Sequence, residues 1–511
     1  MKEVLELVDV PVNQKEQIAS SAPVAVITLE GEPYQRVVDG EYGIEIVDCS
    51  KSLDLLANQS DYSKRLGCAV GEAEPILTPF FENGGYYYVD SKLKHGQDLT
   101  FEESFGMITY VLSALNKPLR ETLDKRYGLV NSEETHLLQA TALLSAMSTK
   151  EGYVGLNAEE IAGMVAATLH LDTVARPNLQ DKILSFGGMG GDRGYPTNGE
   201  NSKLFSLSTL SAVALSCIAP VHKHHSYPNT SKVAGQSAIE EYGARSDFHS
   251  HEAMENIFAE SGLLMTSCHN TRTLHTLSHR LRGETINHVI GPLSFTVSPE
   301  TELNVNIGVN EKIHPETIVE SLLILEQRGF QKYNNCGVYF GTDLEEADPR
   351  MFHPEIYSSS DECKRHIAID EVAPPSYVTM AAFAVNSENL GTYALYPEDF
   401  YGKKDLSIID TGKLRIPNTK EAILQANDTA LSGSDESKSR YLAMTMGLAL
   451  FIKEYLDQPD ALDVVEKRVN REYLRACTQK SLEILKSGAG ARKLTEYVEA
   501  TKKYSGEMLV R

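Results

Sequence analysis

Basic residues are scarce in this chain. Its 511 residues carry 48 Lys and Arg against 71 Asp and Glu, a formal net charge of −23. A sequence-independent grip on nucleic acid depends on Lys and Arg neutralising phosphates, so that class of partner is not expected. Close cysteine pairs are missing too. The seven cysteines stand at positions 49, 68, 217, 268, 336, 363 and 477, with no Cys-x-x-Cys. A scattered, odd set gives neither a disulfide framework nor a zinc ribbon, and points to a reducing cytoplasm. No apolar run is long enough to span a bilayer, so no membrane partner is expected. The segment Met1–Asp9 is too acidic, and too poor in apolar residues, for a signal peptide. What is present, 41% hydrophobic and 23% charged residues, fits a soluble globular protein of two or more domains.

Residues 1–92 read as an extension of small, mixed α/β character. Val24–Leu29, Gly43–Val47 and Tyr86–Val89 are its strand candidates, the last set off by Asn83-Gly84-Gly85. A helical domain follows over 93–175, joined by part of 265–290. Thr100-Phe101-Glu102-Glu103 has capping-box spacing ahead of an apolar helix. A second helix starts at Asn131 or Ser132, with Leu137, Ala140, Leu144 and Met147 at helical spacing, and a third starts at Asn157. Such stripes are core or dimer surface. Residues 176–511 alternate strands and helices, which predicts an α/β domain with a mainly parallel central sheet. Its strands are predicted at Ile183–Phe186, Leu303–Val309, Gly337–Phe340 and Tyr377–Val385, and helices at His251–Ser261 and Pro315–Arg328. Residues 341–366 read as a polar insertion loop. Helices are predicted over 418–432, 436–456 and 460–505.

The stretch from Gly187 to Gly243 has the most chemistry to offer. An apolar strand, Ile183-Leu184-Ser185-Phe186, runs into Gly187-Gly188-Met189-Gly190-Gly191-Asp192, and Ser206-Leu207-Ser208-Thr209 then opens an apolar helix. Glycines let backbone N–H groups approach a ligand, and a helix N-terminus adds unpaired N–H groups and partial positive charge. Together they suit a phosphate or pyrophosphate. Lys223 supplies a full charge, and Ser208, Thr209, Thr230 and Ser231 supply hydroxyls. A ligand-free turn from strand to helix explains the glycines alone equally well. The histidines at 222, 224, 225, 249 and 251 raise the question of zinc, but no Cys or Asp pattern closes such a site.

The ordered series Gly188-Met189-Gly190-Gly191-Asp192, Ser206-Leu207-Ser208-Thr209, Lys223-His224-His225-Ser226-Tyr227, Thr230-Ser231 and Ile239-Glu240-Glu241-Tyr242-Gly243 resembles the signature of the anthranilate phosphoribosyltransferase family. In that family the blocks look like Gly-Thr-Gly-Gly-Asp, Asn-Ile-Ser-Thr, Lys-His-Gly-Asn-Arg, Ser-Ser and Leu-Glu-x-Leu-Gly. Thr285–Leu293, Ile369-Asp370-Glu371 and Tyr393–Phe400 match further family segments, so the resemblance covers roughly 93–505. It implies a small helical domain and a larger α/β domain, a homodimer, and transfer of phosphoribose from phosphoribosyl pyrophosphate (PRPP) with Mg2+ as cofactor. By resemblance, Gly188, Met189, Gly190, Gly191, Asp192, Ser206, Ser208, Thr209, Lys223, Thr230 and Ser231 hold PRPP, while Ser208, Asp370 and Glu371 hold the metal. The matching acceptor-side positions are His224, Ser226 and Arg280.

Departures gather on that acceptor side. Gly-Asn-Arg is replaced by His225-Ser226-Tyr227, Asn-Ile-Ser-Thr begins with Ser206, and the family's acceptor-binding arginine has only Arg280 nearby, two residues out of register. The expected acceptor is therefore an aromatic amine such as anthranilate or a related nitrogen nucleophile. No protein nucleophile is expected. Nucleoside phosphorolysis, an activity of the same superfamily, and non-catalytic binding of PRPP or nucleic acid are the alternatives.

Overall fold

The computed structural model describes residues 35–40, 43–48, 59–129, 131–172, 176–179, 182–189, 202–225, 233, 235–245, 251–267, 274, 277, 285–310, 312–342, 368–375 and 377–504. The predicted strand at Val24–Leu29 and nearly all of the predicted loop 341–366 lie outside them. The chain is α/β, as expected. A hairpin of β1 (Gln35–Gly40) and β2 (Gly43–Asp48) comes first. Helices follow at Gln59–Glu72, Glu74–Glu82, Tyr86–Lys94, Phe101–Ser113, Lys117–Tyr127, Glu133–Tyr153 and Ala158–Leu171.

Tyr86–Val89 is helical, which corrects the strand reading. Gly85, at φ 57°, turns the chain immediately before it. Val89 and Leu93 then fall about one helical turn apart on the buried face of the helix. The helices of 59–94 pack against those of 101–171, and Tyr86–Lys94 runs across the position at which the extension was divided from the helical domain. Two of the predicted helix starts are formed as capping boxes, Thr100 with Glu103 and Asn157 with Glu160. The helices Phe101–Ser113 and Ala158–Leu171 approach so closely that a Cβ on Gly163 would sit 2.4 Å from the Phe101 carbonyl oxygen.

After β3 (Ile183–Gly188), the two-residue β4 (Ser202–Lys203) pairs outside the sheet with Ile416–Pro417. The sheet contains β3, β5 (Val221–His225), β6 (Leu263–Ser267), β7 (Glu302–Gly308), β8 (Lys332–Thr342), β10 (Val378–Val385) and β11 (Glu388–Leu395). A short pairing strand, β9 (Ala368–Ile369), lies antiparallel on the end of β8. Spatial order is β11-β10-β8-β7-β3-β5-β6. The five strands from β8 to β6 are parallel, and β10 and β11 are antiparallel additions. Nearly unbroken burial along β3, β5 and β7 marks a sheet covered on both faces. Leu207–Leu215, Glu436–Glu454 and Ala489–Tyr504 pack together as part of that cover. Pro315–Gln327 touches β8, β10 and β11 and also Ala158–Leu171, which ties the helical segment to the sheet.

The helix predicted over 460–505 is two helices, Arg471–Lys486 and Ala489–Tyr504, preceded by a tiny hairpin. Gly488, at φ 68°, makes the break. From β3 the chain runs outward through β5 to β6, then returns to place β7 and β8 on the other side. The order therefore reverses at β3. In open α/β sheets ligands bind beyond the carboxyl ends of the strands at such a reversal.

Candidate functional site

Gly188 is the last residue of β3, Lys223 lies near the end of β5, and Ser208 and Thr209 stand in the first turn of Leu207–Leu215. Lys223 Nζ donates to Ser208 Oγ at 3.2 Å. The Ser208 backbone N–H points at Glu371 Oε1, 3.4 Å away. A Cβ on Gly188 would lie 3.4 Å from Asp370 Oδ2 and 3.9 Å from Ser208 Oγ. One lysine, one hydroxyl, one helix N-terminus and two carboxylates therefore converge on the end of β3, from positions far apart in the chain.

The reason the acids reach this place is local. β9 pairs with the end of β8, Ile369 opposite Gly341, and delivers Asp370 and Glu371 across the tip of β7. There Gly308 is obligatory, because a Cβ at that position would lie 1.6 Å from the Asp370 carbonyl oxygen. Beyond the acids, Val372 O accepts from Tyr441 at 2.6 Å, and Ala373 N donates to Thr379 Oγ1 at 2.8 Å. Both carboxylates thus sit on a pinned loop rather than a floating one.

Burial pulls the Lys223 ammonium down to a pKa of about 8, with Glu371 and Asp370 opposing that fall. It stays mostly charged at neutral pH. Ser206 is held by a residue that sequence reading missed. Asn427, fully buried in Lys420–Leu431, accepts from Ser206 N at 3.0 Å and donates to Ser206 Oγ at 3.2 Å. Its one signal is an asparagine inside the apolar stripe Ile423, Ala426, Ala430. The Ser206 side chain does not cap its own helix, so this helix start is not closed by its N-cap residue.

Met189 is fully buried, and its backbone N–H already donates to Gly308 O at 2.9 Å. Gly187 is needed for packing, since a Cβ there would lie 2.8 Å from the Ile307 side chain. Neither Gly187 nor Gly188 has positive φ, so close approach rather than left-handed backbone explains both. Gly190, Gly191, Asp192, Ser226, Thr230, Ser231 and Arg280 lie outside the described residues.

Strand alternation divides the histidines that follow. His222 and His224 share one face of β5 and meet Thr266: His222 Nε2 is 3.0 Å and His224 Nδ1 is 3.2 Å from Thr266 Oγ1. His222 Nδ1 is 3.1 Å from Ser185 Oγ, and Thr296 joins the same buried network through Thr266. Burial keeps both rings neutral, with His224 down to about 3. Lys223 and His225 take the opposite face, where Ser208 and Thr209 lie.

No family model matches the chain. It is 25% identical over 293 residues to the tryptophan biosynthesis protein TrpCD of Archaeoglobus fulgidus, covering 55% of this chain and 47% of that protein. With the anthranilate phosphoribosyltransferase of Pyrococcus abyssi it shares 24% identity over 297 residues, 58% of this chain and 75% of the relative. The chain thus spans about half the length of the first relative and three-quarters of the second. The fold matches anthranilate phosphoribosyltransferase from Saccharomyces cerevisiae in complex with PRPP and Mg, with a TM-score of 0.52 at 16% identity. That match covers 78% of this chain and 93% of the other. The chain is similar to anthranilate phosphoribosyltransferases in sequence, at a distance, and in fold. Identity this low fixes the fold; the chemistry has to be argued from the residues at the sheet's end. Among the described residues no helix is long and apolar enough to cross a membrane.

Proposed function

We propose that the protein is a Mg2+-dependent phosphoribosyltransferase that uses PRPP. The observation that carries this reading is the convergence of Lys223, Ser208, Asp370 and Glu371 on Gly188, at the reversal point of the sheet. A pyrophosphate leaving group needs cationic and N–H partners, and the first turn of Leu207–Leu215, which has no side-chain cap, adds the positive end of a helix, with its Ser208 N–H already directed at Glu371. Two carboxylates and a hydroxyl form an all-oxygen donor set, which fits magnesium shared with substrate phosphates. Asp370, Glu371 and Ser208 would hold the ion, which supplies charge neutralisation to the departing pyrophosphate.

In this reading the C1–O bond of PRPP breaks, a C1–N bond forms to the acceptor, and pyrophosphate leaves with both electrons of the broken bond. The acceptor nitrogen then gives its proton to water or to the departing pyrophosphate. Lys223 neutralises phosphate charge from β5, Thr209 and the helix N-terminus orient the same group, and the pinned loop keeps the carboxylates opposite it. Gly188 leaves room for a phosphate beside Asp370, and Ser206 fixes the start of the helix. By resemblance Gly190, Gly191, Asp192, Thr230 and Ser231 complete the donor side, whereas Met189, buried and with its N–H given to Gly308, offers no donor to it. The resemblance assigns Ser226 and Arg280 to the acceptor, an aromatic amine such as anthranilate or a related nitrogen compound, whereas His224 is turned to Thr266 on the face of β5 away from Lys223 and is not kept in that role. The enzyme works as a homodimer in the cytoplasm.

A screen for pyrophosphate release over amines and nucleobases, with PRPP and Mg2+, tests this reading. Turnover with one of the amines is the expected result. Phosphate-dependent cleavage of nucleosides without PRPP turnover would replace it with a phosphorylase.

A further inference from the structure

Four cationic side chains, Lys403, Arg468, Arg471 and Arg475, line a cavity of about 390 Å³ in which Glu398 is the lining acid. In a chain of net charge −23 such a concentration of positive charge calls for a local reason. Two segments build it. One follows β11, whose last residue Leu395 stands opposite Thr379 of β10, itself opposite Gly341 near the end of β8. The other is the turn from Arg468 into the helix Arg471–Lys486. The cavity therefore opens on the same edge of the sheet as Gly188. In the order β11-β10-β8-β7-β3 it lies four strand positions away, roughly 19 Å at the usual spacing of about 4.8 Å.

Buried Asp399 orients two of the arginines. Its Oδ1 accepts from Arg471 Nε at 2.6 Å and from Arg468 Nη2 at 3.0 Å, while Tyr396 N donates to Oδ2 at 2.8 Å. The Arg468 guanidinium also lies 4.3 Å from the centre of the Tyr396 ring, a cation–π contact. Arg475 gives Nη2 to the Glu398 carbonyl oxygen. A guanidinium carries five N–H donors. Among the described residues each of these arginines engages one nitrogen, and the Arg471 bond through Nε leaves both terminal nitrogens of its fork unused. Asp399 accounts for Arg468 and Arg471. It does not account for Arg475 and Lys403, which make no ion pair among the described residues and crowd further charge into the same cavity.

We infer that this cavity is a second ligand site, which binds a small phosphate monoester through Arg471, Arg475 and Lys403. A phosphate monoester carries up to two negative charges and three strong acceptor oxygens, which matches the surplus of cations; a lone carboxylate would leave much of it unneutralised. The guanidinium forks take phosphate oxygens in pairs, Lys403 adds a point charge, and Tyr396 offers the rest of the molecule a wall. Asp399 holds the forks before the ligand arrives, so little ordering is left for binding to accomplish. The site stands apart from the PRPP reading and does not depend on it.

The test is calorimetry of the full chain at low ionic strength without Mg2+, titrated with ribose 5-phosphate, AMP and inorganic phosphate, alongside thermal unfolding. The wild type should bind at least one of the two monoesters. Lys403→Gln combined with Arg475→Gln leaves Asp399 and its partners intact, so Tm should hold while that monoester binds at least about 10-fold more weakly, the scale of one hydrogen bond to a charged group. Lys403→Gln alone changes an exposed side chain and should show part of the loss, which keeps the test open if the double variant does not fold. Lys223→Met, at the candidate donor site, should bind the monoester as the wild type does. AMP tighter than ribose 5-phosphate supports the inference and places the base on the wall; equal affinity supports it with recognition confined to the phosphorylated sugar. No heat with either monoester overturns it, as does binding of inorganic phosphate alone. Affinity unchanged in the Lys403 and Arg475 variants, or a loss in Lys223→Met as large as theirs, overturns it too.

Discussion

Among the described residues two lysines are buried, Lys150 in the helical segment and Lys223 at the end of β5. Their surroundings differ in kind. Lys150 Nζ donates to Glu160 Oε2, Asp98 Oδ1 and Gly155 O, all at 2.9 Å, which uses every donor an ammonium has. Glu160 is in turn bonded by the backbone N–H groups of Leu99 and Asn157. Burial raises the Glu160 pKa, and Lys150 with these N–H groups opposes the rise. Among the described residues Lys223 makes a single hydrogen bond, to the Ser208 hydroxyl, and the nearby carboxylates act on it through space. One lysine completes a closed polar cluster that closes the segment on itself. The other holds an expensive buried charge with most of its donors in reserve, the condition expected of a group whose partner is a ligand.

The largest expected effect follows from breaking the closed cluster. Lys150→Met leaves the Glu160 carboxylate buried without its counter-charge, which costs about 3–5 kcal/mol of folding stability. A fall of many degrees in Tm, with donor affinity unchanged in the protein that remains folded, is the expected pattern. Lys223→Met should do the reverse. Removing a poorly paired buried charge leaves Tm unchanged or higher, while PRPP binds roughly 10- to 100-fold more weakly for want of one charge-assisted contact. If both variants lost stability equally, Lys223 would be a structural lysine and the contrast would collapse.

The acids opposite Lys223 give the next test. Asp370→Ala combined with Glu371→Ala should lower Mg2+-dependent turnover by roughly 100- to 1,000-fold, the scale on which electrostatic partners of a developing charge act. Tm should change little, because the loop is pinned by Tyr441 and Thr379 through backbone groups that the substitutions do not touch. Unchanged turnover would remove the metal from this loop.

Local chemistry made much of this legible in the sequence. Capping boxes at Thr100 and Asn157, the strand–glycine–helix passage at 183–215 and the helix at Pro315–Gln327 all depend on residues a few positions apart. Tyr86–Val89 misled because aromatic residues suit strands by propensity, whereas the neighbouring helices reward a buried stripe at helical spacing. Other features depend on distance in the chain. That Asp370 crosses Gly308, and that Asn427 grips Ser206 from 221 positions away, follows only from the assembled sheet. The face that His225 takes follows from strand alternation, which was available in the sequence.

The smallest effect sharpens the comparison most. Asn157 caps Ala158–Leu171 by accepting from Glu160 N at 2.8 Å, and Asn157→Ala should cost about 1 kcal/mol as a lost cap. Its cap partner Glu160 is also the partner of Lys150. Residues that share a partner interact, whereas distant independent ones add within about 0.3–0.5 kcal/mol. A double-mutant cycle by denaturant unfolding should therefore show Asn157→Ala and Lys150→Met to be non-additive, since the second change already loosens the carboxylate that the first depends on. Asn157→Ala with Lys223→Met should be additive. Additivity in both cycles would mean that Lys150 is not bound into a cooperative cluster, and the two lysines would differ only in the number of their contacts.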